Sequence, residues 1–199
     1  MNKKEVFISI VLILFIVAML GLTIWYLLKD AKPILNNNNT PPIYVYDEET
    51  TSNIPETGND YIIKTSSDTN LRVLNEYTTE FFTAKKNLLI MFGSWCSHCK
   101  EELVDVEKIM TVYRNNKDVN VILIAHEYED TLSDLITLVE QDVNFGNVEI
   151  LVDLKRVIRK TLDPEANTVP ISYVVDKNGM VLEKNNGAIT LDIANDMLK

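Results

Sequence analysis

The chain has 199 residues, 46% of them hydrophobic, with 19 Lys and Arg against 29 Asp and Glu, two Cys, two His and a formal charge of −10. Residues 1–30 are net +1, so the other 169 carry −11. That balance excludes a nucleic-acid binder working through a basic surface. The hydrophobic share excludes disorder throughout, and two cysteines exclude a disulfide-stapled miniprotein.

Residues 6–28 (VFISIVLILFIVAMLGLTIWYLL) contain no charge. As a helix these 23 residues would rise roughly 35 Å, enough to cross a bilayer core. Lys3 and Lys4 precede the run and predict a cytoplasmic N-terminus, while Trp25 and Tyr26 suit the far interface. The run is longer than a secretory signal's apolar region and lacks a small-residue cleavage site, so residues 1–30 are expected to be an uncleaved membrane anchor. Residues 31–60 read as an extracytoplasmic linker, with an Asn run at 36–39, Pro41-Pro42 and a polar stretch from Thr50. Within it, residues 43–46 (IYVY) have the character of an edge strand.

Residues 61–199 form the expected domain. Leu88–Phe92 is a continuous apolar run, as in a strand buried on both faces. A helix is predicted from Cys96, with Leu103, Val106, Met110 and Tyr113 on its apolar face. Val119–Ala125 is a second buried strand, followed by an amphipathic helix marked by Leu132, Leu135, Ile136 and Val139. A short strand at 148–152 precedes a helix predicted over 154–162, stopped by Pro164. Strands at 171–175 and 180–183 flank the hairpin turn Asp176-Lys177-Asn178-Gly179. Asn186-Gly187 makes another turn, and Thr190 can cap a last helix over 191–199. This alternation predicts a three-layer α/β domain with a mixed sheet.

The chemistry concentrates at Gly93-Ser94-Trp95-Cys96-Ser97-His98-Cys99-Lys100, between a buried strand and a helix. Two cysteines three apart at a helix start can close a disulfide. Cys96 is expected at the helix N-terminus, where unpaired N–H groups and the helix dipole favour a thiolate. A thiolate is the attacking species in disulfide exchange, and Cys99 is placed to resolve the mixed disulfide. His98, when protonated, would favour the thiolate further, and Ser97 is a potential hydrogen-bond donor. Without a third cysteine, the cycle must be completed by another protein's thiols.

Phe92-Gly93-Ser94-Trp95-Cys96-Ser97-His98-Cys99, with Val169-Pro170 and the turn at 176–179, resembles the thioredoxin superfamily. With the apolar N-terminal run, residues 61–199 resemble its membrane-anchored branch, the TlpA/ResA-like thiol-disulfide oxidoreductases. The resemblance implies a thioredoxin-like fold and an enzyme of the bacterial cell membrane, single-pass, with its catalytic domain outside the cytoplasm. It implies that Cys96 is the exposed nucleophile, Cys99 the buried resolving thiol and Trp95 the aromatic sheltering the first sulfur. Val169 and Pro170 would form the cis-proline loop that offers backbone groups to substrate. Glu102 falls where the branch places an acidic residue near the site, and would relay protons during exchange; its alternative is a solvated first-turn glutamate. The implied partners are cysteine-containing exported proteins or apocytochromes, with a membrane redox partner of the CcdA type. No cofactor beyond the Cys96–Cys99 disulfide, no metal and no nucleic acid are expected.

The sequence also departs from that pattern. Ile90 stands where thioredoxins carry a buried Asp, Val104 where the branch usually has Pro, and Ile171 where Thr commonly follows the proline. Ser97-His98 replaces the Glu-Pro type of dipeptide found in dedicated reductants, leaving the direction of electron flow open. His126, ending the second buried strand, is expected at the surface. Were it near Cys96, a copper-binding metallochaperone of the Sco type would be the alternative, although those proteins space their cysteines one residue wider. The other alternative is a non-catalytic exported domain with a structural disulfide.

Overall fold

The computed structural model describes residues 19, 43–45 and 60–199, with positions 68, 129, 130 and 144 excepted. Residues Met1–Thr40 and Pro41–Lys199 are separate units. The predicted anchor at 6–28 and most of the predicted linker lie outside the described residues. No helix among the described residues is long and apolar enough to cross a membrane.

Among the described residues, eight strands form one sheet: β1 (Ile43–Val45), β2 (Tyr61–Lys64), β3 (Asn70–Val73), β4 (Lys86–Phe92), β5 (Val119–Ala125), β6 (Glu149–Val152), β7 (Ile171–Val175) and β8 (Val181–Asn186). The helices are α1 (Ser97–Tyr113), α2 (Leu132–Thr137, continued by a π-helical turn at Leu138–Asp142), α3 (Val157–Leu162) and α4 (Leu191–Met197). The strand order is β1-β2-β3-β6-β5-β4-β7-β8. The centre, β3-β6-β5-β4, is parallel, while β7 and β8 run antiparallel to their neighbours, so the sheet is mixed as predicted. The edge strand expected at 43–46 is β1, which pairs in parallel with β2.

The two-residue alternation of the strands separates two cores. Leu88, Ile90 and Phe92 of β4 face one side, with Leu103, Val106 and Ile109 of α1, Leu135 and Ile136 of α2 and Ala194 of α4. Leu89 and Met91 face the other, against Ile158 of α3, Phe82 and Tyr173. Helices therefore cover both faces, which explains why β4 and β5 read as unbroken apolar runs. Ile90, at the position of the missing Asp, is a fully buried part of the first core.

Several predicted bounds shift for local reasons. On α1, Ile109 is the deeply buried residue of the last turns, and Met110 and Tyr113 pack only partly. The helix predicted over 154–162 starts at Val157, because Arg156 takes the left-handed conformation (φ 58°, ψ 30°) that interrupts a helix. Asp153 caps it instead, its carboxylate accepting from the Val157 and Arg159 N–H groups. The last strand begins one residue later than predicted and continues to Asn186. At the last helix, Thr190 accepts from the Ile193 N–H as anticipated. Strands β2 and β3 were not anticipated. Each has four residues, too few for their alternating burial to stand out in the sequence.

Candidate active site

β4 delivers the chain to the site and Gly93 turns it. A Cβ at Gly93 would lie 2.8 Å from the Trp95 indole, so glycine leaves room for the ring to fold back over the backbone. Cys96 is the N-cap of α1 in an extended conformation, and its Sγ accepts from the Cys99 N–H at 3.2 Å. Cys96 and Cys99 are joined in a disulfide, with Cα atoms 5.2 Å apart. Cys96 is 9% exposed and Cys99 fully buried, so only the first cysteine retains any solvent exposure. Facing it, the Val169 carbonyl oxygen lies 3.8 Å from Cys96 Sγ, and the Val169–Pro170 bond is cis. The structure thus brings together Cys96, Cys99 and the 169–170 loop from elements more than 70 residues apart.

Trp95 is 45% exposed, and its Nε1 donates to the His126 carbonyl at 3.2 Å. Ser97 and His98 are exposed at the start of α1. His98 Nδ1 lies 3.6 Å from Glu101 Oε2, and no hydrogen bond among the described residues links His98 to either sulfur.

Glu102 is one helical turn past Cys99, on the same side of α1. It is 4% exposed, and Oε2 accepts from the Ile189 N–H at 2.9 Å. Oε1 has no hydrogen-bond partner among the described residues. Burial, only partly offset by that bond, raises its carboxyl to about 7. The solvated first-turn alternative is therefore excluded by its burial.

His126 corrects an expectation: it is 2% exposed, not a surface residue. The end of β5 is covered by Trp95 and by Tyr128, whose ring meets the imidazole edge-on with centroids 6.1 Å apart. Burial, aided by the charges of Arg159 and Arg156, lowers His126 to about 4, which keeps it neutral near pH 7. No group of three His, Cys, Asp or Glu suited to a metal occurs among the described residues.

The structure adds residues that sequence reasoning missed. Glu127 is fully buried, and its carboxylate accepts from the Ser94 N–H at 2.5 Å, Ser94 Oγ at 2.9 Å and Thr131 Oγ1 at 2.6 Å. These bonds hold its ionised form, although burial is the larger influence and raises its carboxyl overall. Tyr128 stacks obliquely on Trp95, with centroids 5.8 Å apart. A signal was available: carboxyl ends of parallel strands line the crevice of an open sheet, and Glu127 and Tyr128 directly follow β5.

No known family model matches the chain, and no curated protein does. Among solved structures, the chain is similar to the exposed lipoprotein thioredoxin Etrx1 of Streptococcus pneumoniae, at 19% identity and a TM-score of 0.52, covering 70% of this chain and 97% of that one. It also matches StoA of Bacillus subtilis, at 16% identity and a TM-score of 0.45, over 73% of this chain and 100% of that one. The likeness to the Streptococcus protein is one of fold. Together with the sheet order and the cis-proline facing the disulfide, it establishes that this chain has a thioredoxin-like fold bearing a CxxC pair at the N-terminus of α1.

Proposed function

We propose that this protein is a membrane-anchored thiol-disulfide oxidoreductase that exchanges disulfides with exported protein substrates. One observation carries the reading: a disulfide whose first, partly exposed cysteine caps a helix and faces a cis-proline loop, while its second cysteine is fully buried. A structural staple needs neither the asymmetric exposure nor the facing loop.

In the reducing direction, the Cys96 thiolate attacks one sulfur of a substrate disulfide. A Cys96–substrate bond forms, the substrate's S–S bond breaks, and the displaced thiolate takes a proton. The Cys99 thiolate then attacks Cys96 Sγ, closing the intramolecular disulfide and releasing the second substrate thiol. Two electrons and two protons have passed to the substrate, and a dithiol partner protein must restore the pair. The reverse sequence oxidises a substrate dithiol. The Cys99 N–H and the α1 dipole stabilise negative charge on Cys96 Sγ. The Val169 carbonyl and Pro170 edge are suited to an extended substrate segment. Glu102, poised to titrate near neutrality one turn past Cys99, is suited to give and take the Cys99 proton.

Extracytoplasmic anchoring rests on the uncharged run at 6–28 and on the exposed location named for the Streptococcus protein. Apocytochromes or other cysteine-containing exported proteins are the proposed substrates, and a CcdA-type membrane protein the proposed donor. The test is exchange by the reduced protein with a model protein disulfide. Cys99→Ser should accumulate a mixed disulfide through Cys96, visible by non-reducing electrophoresis, and Cys96→Ser should accumulate none. Equal turnover by wild type and Cys96→Ser would refute the reading.

A further inference from the structure

A ledge of three side chains adjoins Cys96 and serves none of the steps above. Trp95 and Tyr128, 45% and 40% exposed, are in tilted contact. The Arg156 guanidinium lies over the Tyr128 ring, 5.1 Å from its centroid, and its Nη2 donates to Tyr128 Oη at 2.7 Å. No ion pair with a carboxylate within 4.0 Å satisfies Arg156 among the described residues.

The ledge is tied by hydrogen bonds to the loop that precedes the disulfide. Trp95 Nε1 bonds the His126 carbonyl, and Glu127 grips Ser94, so the segment bearing Tyr128 is latched to the loop that bears Cys96. On its other side, Arg159 of α3 donates to the Thr168 carbonyl, just before the cis-proline loop. Arg156 is the non-glycine residue with positive φ among the described residues, a conformation that side chains disfavour. Its placement over Tyr128 accompanies that strain.

The segment that carries Arg156 is locally cationic. Residues 155–160 hold Lys155, Arg156, Arg159 and Lys160 and no acidic residue, in a chain of net charge −10. An aromatic face contiguous with a cationic edge is complementary to an aromatic side chain followed by a carboxylate.

We propose that Trp95, Tyr128 and Arg156 form a specificity subsite for protein substrates whose reactive cysteine is flanked by an aromatic side chain and an acidic residue. The aromatic side chain packs on Trp95 and Tyr128, the carboxylate pairs with Arg156, and the cysteine is presented to Cys96. This rests on the thiol exchange proposed above and names its substrate class.

The test uses the reduced full-length protein in detergent and short peptides whose single cysteine is a mixed disulfide with thionitrobenzoate. Attack by Cys96 on the peptide sulfur releases coloured thionitrobenzoate, and Cys99 then releases the peptide thiol. Three peptides are compared: Phe and Glu flanking the cysteine, Ala in place of Phe, and Lys in place of Glu. The first should show a second-order rate constant for thionitrobenzoate release, in a single turnover of the reduced protein, about fivefold above each of the others, as expected of one aromatic–cation or half-exposed ionic contact. In Arg156→Glu the preference for Glu over Lys should invert, and in Tyr128→Ala the preference for Phe should vanish. Equal rates for all three peptides with an active wild-type protein would overturn the subsite while leaving the exchange reading intact. Unchanged preferences in both variants would do the same. Release from no peptide at all, with Cys96→Ser indistinguishable from wild type, would overturn the exchange reading and the subsite with it.

Discussion

The two cysteines differ in their surroundings more than in their chemistry. Cys96 retains 9% exposure at the helix cap, while Cys99, in the first turn of α1, is fully buried. After reduction, iodoacetamide should therefore modify Cys96 and spare Cys99, with peptide mass spectrometry locating a single adduct. Glu102 allows a second prediction. Its carboxyl stands at about 7 in the folded protein against 4.5 when free, so between those pH values the native state binds a proton that the unfolded chain has released. Its contribution to stability is consequently fullest below pH 4.5 and falls as pH rises toward 7, by about 3 kcal/mol at most. Glu102→Gln, which can still accept from the Ile189 N–H, should remove that decline and flatten stability against pH in urea titrations at a series of pH values. The same variant should lose a titration near pH 7 from the pH–rate profile of exchange, if Glu102 exchanges the Cys99 proton. The two cysteines were legible because spacing and helix position are local properties. His126 was misplaced because the chain end of β5 is closed in by packing that includes Trp95, 31 residues away and bonded to the His126 carbonyl, a contact that the sequence around His126 does not announce.

Among the elements, the loops after β4 and β5 matter most, because they form the rim of the site. Glu127 joins them through two hydrogen bonds to Ser94 and is itself held by a third from Thr131. Glu127→Ala would leave a buried N–H and two hydroxyls without this acceptor, a loss of about 2–4 kcal/mol in denaturant unfolding. Glu127→Gln, which keeps one acceptor oxygen, should lose less. Near the C-terminus, Thr190→Ala should cost about 1 kcal/mol by removing the cap of α4. The strands β4 and β5 were legible because burial on both faces writes an uninterrupted apolar run. β2 and β3 were not, because four residues with partly exposed alternate positions carry little periodic signal. The start of α3 was overextended because the left-handed turn at Arg156 is held by Asp153 and Tyr128, not by a helix-breaking residue type.

At the scale of the whole molecule, one sheet with a core on each face organises the described part of Pro41–Lys199. A fragment comprising residues 41–199 should therefore unfold in one cooperative transition, with circular dichroism and fluorescence midpoints coinciding. Starting it at residue 47 removes β1 and exposes the edge of β2, which should lower the midpoint without abolishing folding. Most of the elements in this sheet follow from hydrophobic periodicity, and the position of the cysteine pair follows from the strand-to-helix junction. By itself the sequence determined an alternating α/β domain with a mixed sheet, and a reactive pair at the head of a helix, because these depend on near neighbours along the chain. Only the tertiary structure decided that Val169 and Pro170 face Cys96, that Glu102 and Glu127 are buried carboxylates, and that Arg156 meets Tyr128 beside Trp95. Each of those depends on residues far apart in sequence whose desolvation and hydrogen bonding exist only once the strands have paired and the helices have packed.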